Sequence, residues 1–318
     1  MINQFKALLK NHSLIPLDGG LATELESRGH NLNSTLWSAQ LLLNDPGEIF
    51  DSHIAYLRAG ARIITTASYQ ATIPGLIEAG LSYNEAVAII NSSVDIACKA
   101  RDSYAKETGS SGTLIAASIG PYGAYLADGS EYQGQYGLSV SELENFHRER
   151  LTILDASPAD VLACETIPDA TEARALNNLL QQCDTPSWVC FSCKDSLHLH
   201  DGTSIEEAAA IFKNNLKVMA LGINCTSPRH VSGLIQALIQ ADIGKAIIVY
   251  PNSGEDYCGH NKTWTNKDNP EIGNRDFSEF AIQWAKQGAQ IIGGCCRTGP
   301  DDISSLADHA TALSRPGN

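Results

Sequence analysis

The stretch VLACETIPDATEARALNNLLQQ at residues 161–182 joins a strand-like run to a helix-like run and sets the pattern for the whole chain. The strand-like part, residues 161–167, lacks the apolar–polar alternation of a half-exposed strand, which predicts a strand buried on both faces. The helix-like part, residues 169–182, opens with Asp169 as a candidate N-cap and carries Glu172 three positions later. A buried strand that leads into an amphipathic helix is the repeating unit of a parallel α/β protein.

Strand-like runs of this kind recur along the 318 residues. They occupy residues 14–18, 62–69, 113–120, 161–167, 188–193, 218–225, 246–252 and 289–296. Further helix-like stretches lie at residues 204–214, 227–240, 276–287 and 300–313, the first two with a serine as candidate cap. Eight strand–helix alternations fit a closed barrel better than a doubly wound sheet, and a TIM-type (β/α)8 barrel needs about 250 residues. Since no stretch rich in Pro, Gly or Ser marks a boundary, we predict one barrel domain over residues 1–318.

The charge balance limits the classes of partner. With 22 Lys and Arg against 36 Asp and Glu, the formal net charge is −14. Nucleic acids and anionic membranes both need clustered basic residues, so we expect neither as a partner. We find no apolar run long enough for a membrane span and no signal peptide, so we expect a cytoplasmic protein acting on small molecules. The sequence leaves a homo-oligomer open.

Two loops are longer than ordinary connections. Residues 121–141 and 252–275 carry Gly, Tyr and Trp with little periodicity, and both follow predicted strands. Active sites of β/α barrels lie at the carboxyl ends of the strands, so we expect these loops to cover a substrate there. The alternative is that they are decorative insertions.

Cysteines carry the clearest chemical signal. The chain has nine, and in a reducing compartment thiols indicate metal binding or catalysis before disulfides. Cys225 ends the sixth predicted strand in GINC, and Cys295 and Cys296 end the eighth in GGCC. Adjacent strand residues face opposite ways, but the two preceding glycines allow a change of backbone course that turns both sulfurs inward. A core pair or a redox pair of cysteines is the alternative.

Three thiolates at one barrel mouth match a catalytic zinc site with an open fourth position. Together they over-neutralise Zn²⁺, which makes the site poor at activating water and suitable for holding an incoming thiol as a thiolate. A free thiol has a pKa of about 8.5 and is mostly protonated at neutral pH. The sequence therefore predicts one zinc ion per chain, bound by Cys225, Cys295 and Cys296, and alkylation of a thiol substrate.

The remaining cysteines have simpler interpretations. Cys190 and Cys193 are an odd number of positions apart on a strand, so they face opposite ways. We interpret Cys98 and Cys183 as helix packing residues, and Cys164 as facing the helices because it precedes Glu165. Cys258, beside His260 in the second loop, is the competing candidate ligand.

Carboxylates and aromatic residues complete the predicted site. Asp18, followed by Gly19 and Gly20, ends the first strand, and Glu165 lies on the fourth, so the two acids and the glycine amides suit an amino-acid substrate. The same two acids could instead form the carboxylate pair of a barrel hydrolase. The aromatic residues Trp37, Tyr69 and Trp264 are candidates for a cation-binding wall.

Five motifs resemble the homocysteine S-methyltransferase family: DGGLATELESRG at 18–29, ITTASYQAT at 64–72, CETIPDA at 164–170, GINC at 222–225 and GGCCRTGP at 293–300. The resemblance implies a β/α barrel with zinc on Cys225, Cys295 and Cys296. It implies that Asp18 and Glu165 bind the ammonium group of homocysteine, and that Gly19, Gly20 and Thr66 bind its amino-acid end. It also implies that Asn224 is a neighbouring polar support.

The methyl donor is less well defined by the resemblance. Gln70 stands where the betaine-using relatives carry a tyrosine, and YPNSGE at 250–255 resembles the stand-alone enzymes, so we expect S-methylmethionine, with S-adenosylmethionine as an alternative. The predicted donor pocket comprises Trp37, Tyr69 and Gln70. Alternatives are a selenocysteine, selenohomocysteine or betaine-type methyltransferase of the same family, the barrel hydrolase, and a protein that binds zinc or scavenges thiols without catalysis.

Overall fold

A computed structural model describes residues 4–30, 39–254, 256–258, 263–265 and 277–314 of the chain. Eight parallel strands form one sheet: β1 Ile15–Pro16, β2 Ile63–Thr65, β3 Leu114–Ile119, β4 Val161–Ile167, β5 Ser187–Phe191, β6 Val218–Asn224, β7 Ala246–Tyr250 and β10 Ala289–Ile292. A separate antiparallel pair comprises β8 Asp256–Cys258 and β9 Thr263–Thr265. All eight predicted strand positions are confirmed.

The sheet closes into a barrel. Its strands are hydrogen-bonded in the order β1-β10-β7-β6-β5-β4-β3-β2. A parallel bridge between Leu17 and Ile63 joins the two ends, and the amide of Asp18 donates to the carbonyl oxygen of Ile63 at 3.1 Å. The predicted (β/α)8 architecture is therefore confirmed.

The helices lie around the barrel or at its ends. They are α1 Gln4–Asn11, α2 Leu21–Ser27, α3 Ala39–Asn44, α4 Pro46–Arg58, α5 Ile73–Glu78, α6 Tyr83–Thr108, α7 Tyr122–Leu126, α8 Val140–Asp155, α9 Ala170–Leu180, α10 Ile205–Ala210, α11 Pro228–Gln240, α12 Phe277–Gln287 and α13 Pro300–Ser314, with a short 3-10 helix η1 at Ser130–Tyr132. In the described part of the chain, none of these helices has the length and apolar character of a membrane span.

The predicted helix caps are partly confirmed. Asp169 accepts a hydrogen bond from the amide of Glu172, and Ser204 forms a reciprocal capping box with Glu207. Ser227 occupies the N-cap position of α11, but its side chain makes no capping hydrogen bond. The first amides of a helix have no partner within the helix, and Pro228 at the first helical position has no N–H group. This helix start therefore has one fewer donor for a side-chain cap to satisfy.

Two apolar layers hold the fold together. The larger one lies between the sheet and the surrounding helices, and the smaller one fills the barrel interior. Helix α1 adds Phe5 to the interior layer, where its ring lies 5.9 Å from the ring of Trp188 on β5. Trp188 is near the start of its strand, so α1 covers the amino-terminal end of the barrel and leaves the carboxyl ends of the strands for a site.

Candidate metal centre and substrate pocket

The three predicted thiols come together at the carboxyl ends of the strands. The sulfur atoms of Cys225, Cys295 and Cys296 all lie within 4.8 Å of one another, and those of Cys225 and Cys296 are 3.6 Å apart. Among the described residues, this group contains no histidine and no carboxylate. The three sulfurs that the sequence predicts at one barrel mouth are therefore close enough to share one metal ion.

The glycines of GGCC act through close packing. A Cβ atom on Gly293 would lie 2.5 Å from the carbonyl oxygen of Asp18, and one on Gly294 would lie 2.0 Å from the hydroxyl oxygen of Thr298. Neither glycine has a positive φ angle. Gly293 therefore packs too closely against the end of the first strand to carry a side chain, and Gly294 packs as closely against Thr298, in the loop that follows β10. The strand itself ends at Ile292, so the chain has left the strand before it reaches the two cysteines, as the sequence predicts.

The DGG turn packs in the same way. A Cβ atom on Gly19 would lie 2.8 Å from the carbonyl oxygen of Thr298, and one on Gly20 would lie 2.4 Å from that of Cys295. The Gly20 amide donates to the carbonyl oxygen of Thr298 at 3.0 Å, so it already has a partner within the protein. Both glycines line the pocket beside the thiols.

Two buried carboxylates face this pocket. Asp18 is 3% exposed, and it accepts hydrogen bonds from the amide and the hydroxyl of Thr65 at 2.6 and 3.0 Å. Burial raises the pKa of Asp18 well above its usual value, against these hydrogen bonds, and the nearby charge of Glu165 raises it further. Burial also raises the pKa of Glu165, to about 6, although hydrogen bonds from Ser118 and Tyr250 oppose the shift. A cationic ligand would favour the charged form of both acids.

Asn224 and Thr66 support the pocket wall. Asn224, the last residue of β6, accepts a hydrogen bond from the amide of Thr166 at 2.6 Å and donates to its hydroxyl at 2.8 Å. This pair fixes the peptide that follows Glu165. Thr66 lines the pocket, but its hydroxyl already contacts the hydroxyl of Ser68 at 2.6 Å and accepts from the amide of Ser118 at 3.0 Å.

Tyr132 is a site residue that the sequence analysis missed. It lies in the predicted covering loop 121–141, and its hydroxyl oxygen is 3.1 Å from the sulfur of Cys225. The loop thus brings one aromatic side chain to the cysteine cluster. No local pattern in that loop distinguishes this tyrosine from its neighbours, because the contact joins residues 93 positions apart.

The rest of the pocket is strongly acidic. Its described lining includes four carboxylates and one guanidinium: Asp18, Glu26, Glu131, Glu165 and Arg297. Glu26 and Arg297 are exposed at the outer end, whereas Asp18 and Glu165 lie deep. This distribution favours a positively charged or zwitterionic ligand over an anion.

Comparison with known proteins connects this geometry to a family. The homocysteine S-methyltransferase family profile matches residues 15–310, which include the cysteine cluster and both buried acids. The chain belongs to the homocysteine S-methyltransferase family.

Several members of this family are similar over nearly their whole length. The Bacillus subtilis (strain 168) homocysteine S-methyltransferase YbgG is 46% identical over 317 residues, covering 98% of this chain and 99% of that protein. The selenocysteine Se-methyltransferase of Brassica oleracea var. italica is 44% identical over 312 residues, covering 94% of this chain and 89% of that protein. The crystal structure of the metallated homocysteine methyltransferase MmuM from Escherichia coli superposes with a TM-score of 0.86 at 42% identity, covering 96% of this chain and 100% of that one.

Within this family member, the donor-pocket predictions have different outcomes. Tyr69 lines the pocket. Gln70 is absent from the described lining, and its side-chain amide donates instead to the carbonyl oxygen of Ala124 at 2.8 Å, so the structure does not support a donor contact there. Trp37, like most of loop 252–275 and the side chains of Trp264 and Cys258, lies outside the described residues.

Cys164, Cys190 and Cys193 lie where strand alternation places them. Cys164 packs in the outer layer beneath the helices, so Glu165 faces the barrel interior. Cys190 belongs to the interior layer and Cys193 to the outer layer, which confirms that the two face opposite ways. Neither belongs to the cysteine cluster.

Proposed function

We propose that this chain transfers a methyl group from a sulfonium donor, preferentially S-methylmethionine, to the sulfur of homocysteine and so produces methionine. The observation that carries the proposal is the cluster of Cys225, Cys295 and Cys296 within 4.8 Å, at the mouth of a barrel that belongs to this family. S-adenosylmethionine is the alternative donor.

The cysteine cluster fits one zinc ion. Three soft thiolate ligands without a hard oxygen ligand select zinc over magnesium or calcium, and three protein ligands are typical of catalytic zinc sites. The relative MmuM has a metallated form, which supports a metal here. When bound, zinc supplies the acidity that keeps a substrate thiol deprotonated near neutral pH.

The deep part of the pocket suits the amino-acid end of homocysteine. Asp18 and Glu165 would bind its ammonium group. Burial removes water from both carboxylates, and the positive charge of the ammonium group would stabilise their ionised forms in place of that water. Gly19, Gly20 and Thr66 would contact its carboxylate side, although the Gly20 amide itself remains bonded to Thr298. Asn224 would keep Glu165 in place through Thr166.

The outer part of the pocket suits a cationic donor. The acidic residues of the pocket and the ring of Tyr69, which also lines it, both favour a sulfonium group. In the reaction, the homocysteine sulfur forms a bond to the methyl carbon while the bond from that carbon to the sulfonium sulfur breaks. The bonding electron pair stays on the leaving sulfur, which becomes a neutral thioether. The residues of the pocket would contribute mainly by orienting the two sulfurs and excluding water.

A selenium acceptor is the second candidate. The Brassica relative that is 44% identical is a selenocysteine Se-methyltransferase. Selenocysteine and selenohomocysteine differ from the thiol acceptors chiefly in the attacking atom, so the same cluster would serve them.

The test is a parallel donor assay. Zinc-loaded protein receives homocysteine with S-methylmethionine, S-adenosylmethionine or betaine, and methionine is measured. We expect the fastest turnover with S-methylmethionine and none with betaine; selenocysteine is then assayed as acceptor. The Cys225→Ser variant should lose zinc and turnover together, whereas Cys98→Ser, a control outside the cluster, should keep both.

Each competing function predicts a different result. A hydrolase that uses Asp18 and Glu165 would stay active after chelation of zinc. A thiol-binding protein would bind homocysteine but transfer no methyl group. Full methyl transfer by Cys225→Ser would contradict the proposed role of the cluster.

A further inference from the structure

The segment that brings Tyr132 to the cysteine cluster is held at both ends by one helix. This segment, residues 121–136, which we call the strap, contains α7 and η1. It includes left-handed conformations at Ala127 and Gln135, with φ angles of 54° and 56°, which side chains rarely adopt. Strained backbone conformations of this kind persist only where surrounding contacts hold them, so the strap needs hydrogen bonds to the rest of the protein to keep one conformation.

The first attachment point is Glu172 in the first turn of α9. Its carboxylate is fully buried and accepts a hydrogen bond from the amide of Tyr122, at the start of the strap, at 2.6 Å. The same oxygen lies 2.8 Å from Nε2 of His147 on α8. Arg150, one turn further along α8, donates to the carbonyl oxygen of Gly120 at 2.6 Å, just before the strap begins.

The second attachment point is Asp169, the N-cap of α9. One carboxylate oxygen accepts from the amide of Glu172 at 2.8 Å, which caps the helix, and the other accepts from the amide of Gln135 at 3.0 Å. Gly134 allows this close approach, because a Cβ atom there would lie 3.0 Å from the Cβ of Asp169. Asp169 therefore caps α9 with one carboxylate oxygen and binds the strap with the other.

We propose that Asp169 and Glu172 are positioning residues that hold Tyr132 over the cysteine cluster. Helix α9 directly follows β4, which carries Glu165. The same βα unit therefore positions Glu165 in the pocket and, through the strap, Tyr132 beside the cysteines. The inference concerns this chain's own residues. Only its consequence for turnover rests on the proposed function.

The competing explanation is that Asp169 merely caps α9. Asp169→Ser separates the two roles, since serine is a good N-cap but supplies only one short side-chain oxygen. Asp169→Asn is the second, isosteric variant: it keeps the capping oxygen and presents an amide to the Gln135 N–H. Ser204→Ala is the matched control, because the Ser204 side chain bonds to Glu207 to cap α10, and the strap contact of this turn is made by the backbone of Asp201 and is kept.

The experiment measures alkylation of Cys225 by iodoacetamide in metal-free protein, read by peptide mass spectrometry. Both Asp169 variants should be alkylated about tenfold faster than the wild type, the factor expected for losing one hydrogen bond to a charged acceptor. Ser204→Ala should stay within about twofold, as no strap contact is lost. In a Tyr132→Ala background the Asp169 substitutions should add nothing, because the cover is already gone.

Two results would overturn the inference. One is alkylation of both Asp169 variants at the rate of the control. The other is an Asp169 substitution that accelerates alkylation of Cys225 by the same factor with and without the Tyr132 side chain. That result would mean that the substitution loosens the protein as a whole and does not act through Tyr132. Since this assay needs neither zinc nor substrate, a failure of the proposed methyl transfer would leave its result interpretable.

Discussion

Three residues beside the site have left-handed backbone conformations that non-glycine residues rarely adopt. Thr166, Cys225 and Arg297 have φ angles of 62°, 50° and 65°, and each follows or forms part of a site motif. For a β-branched residue such as Thr166, this conformation is strained. Asn224 compensates by accepting a hydrogen bond from the amide of Thr166 and donating one to its hydroxyl.

This arrangement predicts the effect of Asn224→Ala. The substitution leaves the buried amide of Thr166 without a partner and removes one of the hydrogen bonds of its hydroxyl, which also bonds to Tyr69, so the free energy of unfolding should fall by about 2 kcal/mol. The KM for homocysteine should rise as Glu165 loses its support. Asn215→Ala is the matched control, a buried asparagine with two side-chain partners at the other end of the barrel. If both variants changed KM equally, the support role of Asn224 would be wrong.

His53 on α4 predicts a pH dependence of stability. It is fully buried, neither ring nitrogen has a hydrogen-bond partner among the described residues, and burial lowers its pKa to about 4. The unfolded chain therefore binds more protons than the folded chain between about pH 4 and 6.5, so stability falls as the pH falls through that window.

The His53→Leu variant isolates this contribution. Between pH 7 and 5, the wild type should lose about 2 kcal/mol of unfolding free energy relative to the variant. Urea unfolding at the two pH values measures the difference. Equal losses in both proteins would show that His53 does not titrate as burial implies.

At the scale of elements, the sequence predicted strands better than loops. The bounds of β4 agree at both ends with the predicted run 161–167, because a strand buried on both faces lacks the apolar–polar alternation of a half-exposed strand and so stands out from its flanks. Cys225, Cys295, Asp18 and Glu165 could be predicted because they stand at strand ends, where topology alone brings them together. Tyr132 could not, since its position depends on the strap contacts with α9 and not on any local period.

Close contact between β6 and β7 gives a prediction for this scale. A Cβ atom on Gly222 would lie 1.6 Å from the carbonyl oxygen of Ile248. Gly222→Ala should therefore force the two strands apart and destabilise the protein by several kcal/mol, at or above the upper end of about 1–3 kcal/mol for overpacking. Gly47→Ala in α4 is the control, with only a 3.5 Å contact, and should be neutral or slightly stabilising. A thermal melt of Gly222→Ala that matched the wild type would contradict this packing.

At the scale of the whole molecule, helix α1 is one of the helices that the sequence analysis did not place. Its eight residues are too few for a convincing period, and its role depends on the barrel it closes. Phe5 is fully buried in the interior layer, far along the strands from the cysteines.

Phe5→Ala should therefore affect stability and not catalysis. Loss of a buried phenylalanine ring costs about 3–5 kcal/mol, which a denaturation curve would show. The KM values for both substrates should remain at wild-type levels in the folded fraction. A selective change in KM without loss of stability would mean that the two ends of the barrel are coupled.

The central claim is that Cys225, Cys295 and Cys296 hold one zinc ion that accepts the sulfur of homocysteine. X-ray absorption at the zinc edge tests it most directly, because the spectrum counts the sulfur ligands. The account predicts three sulfur ligands in the zinc-loaded protein and four after homocysteine is added. A sulfur count that stays the same when homocysteine is bound would contradict it.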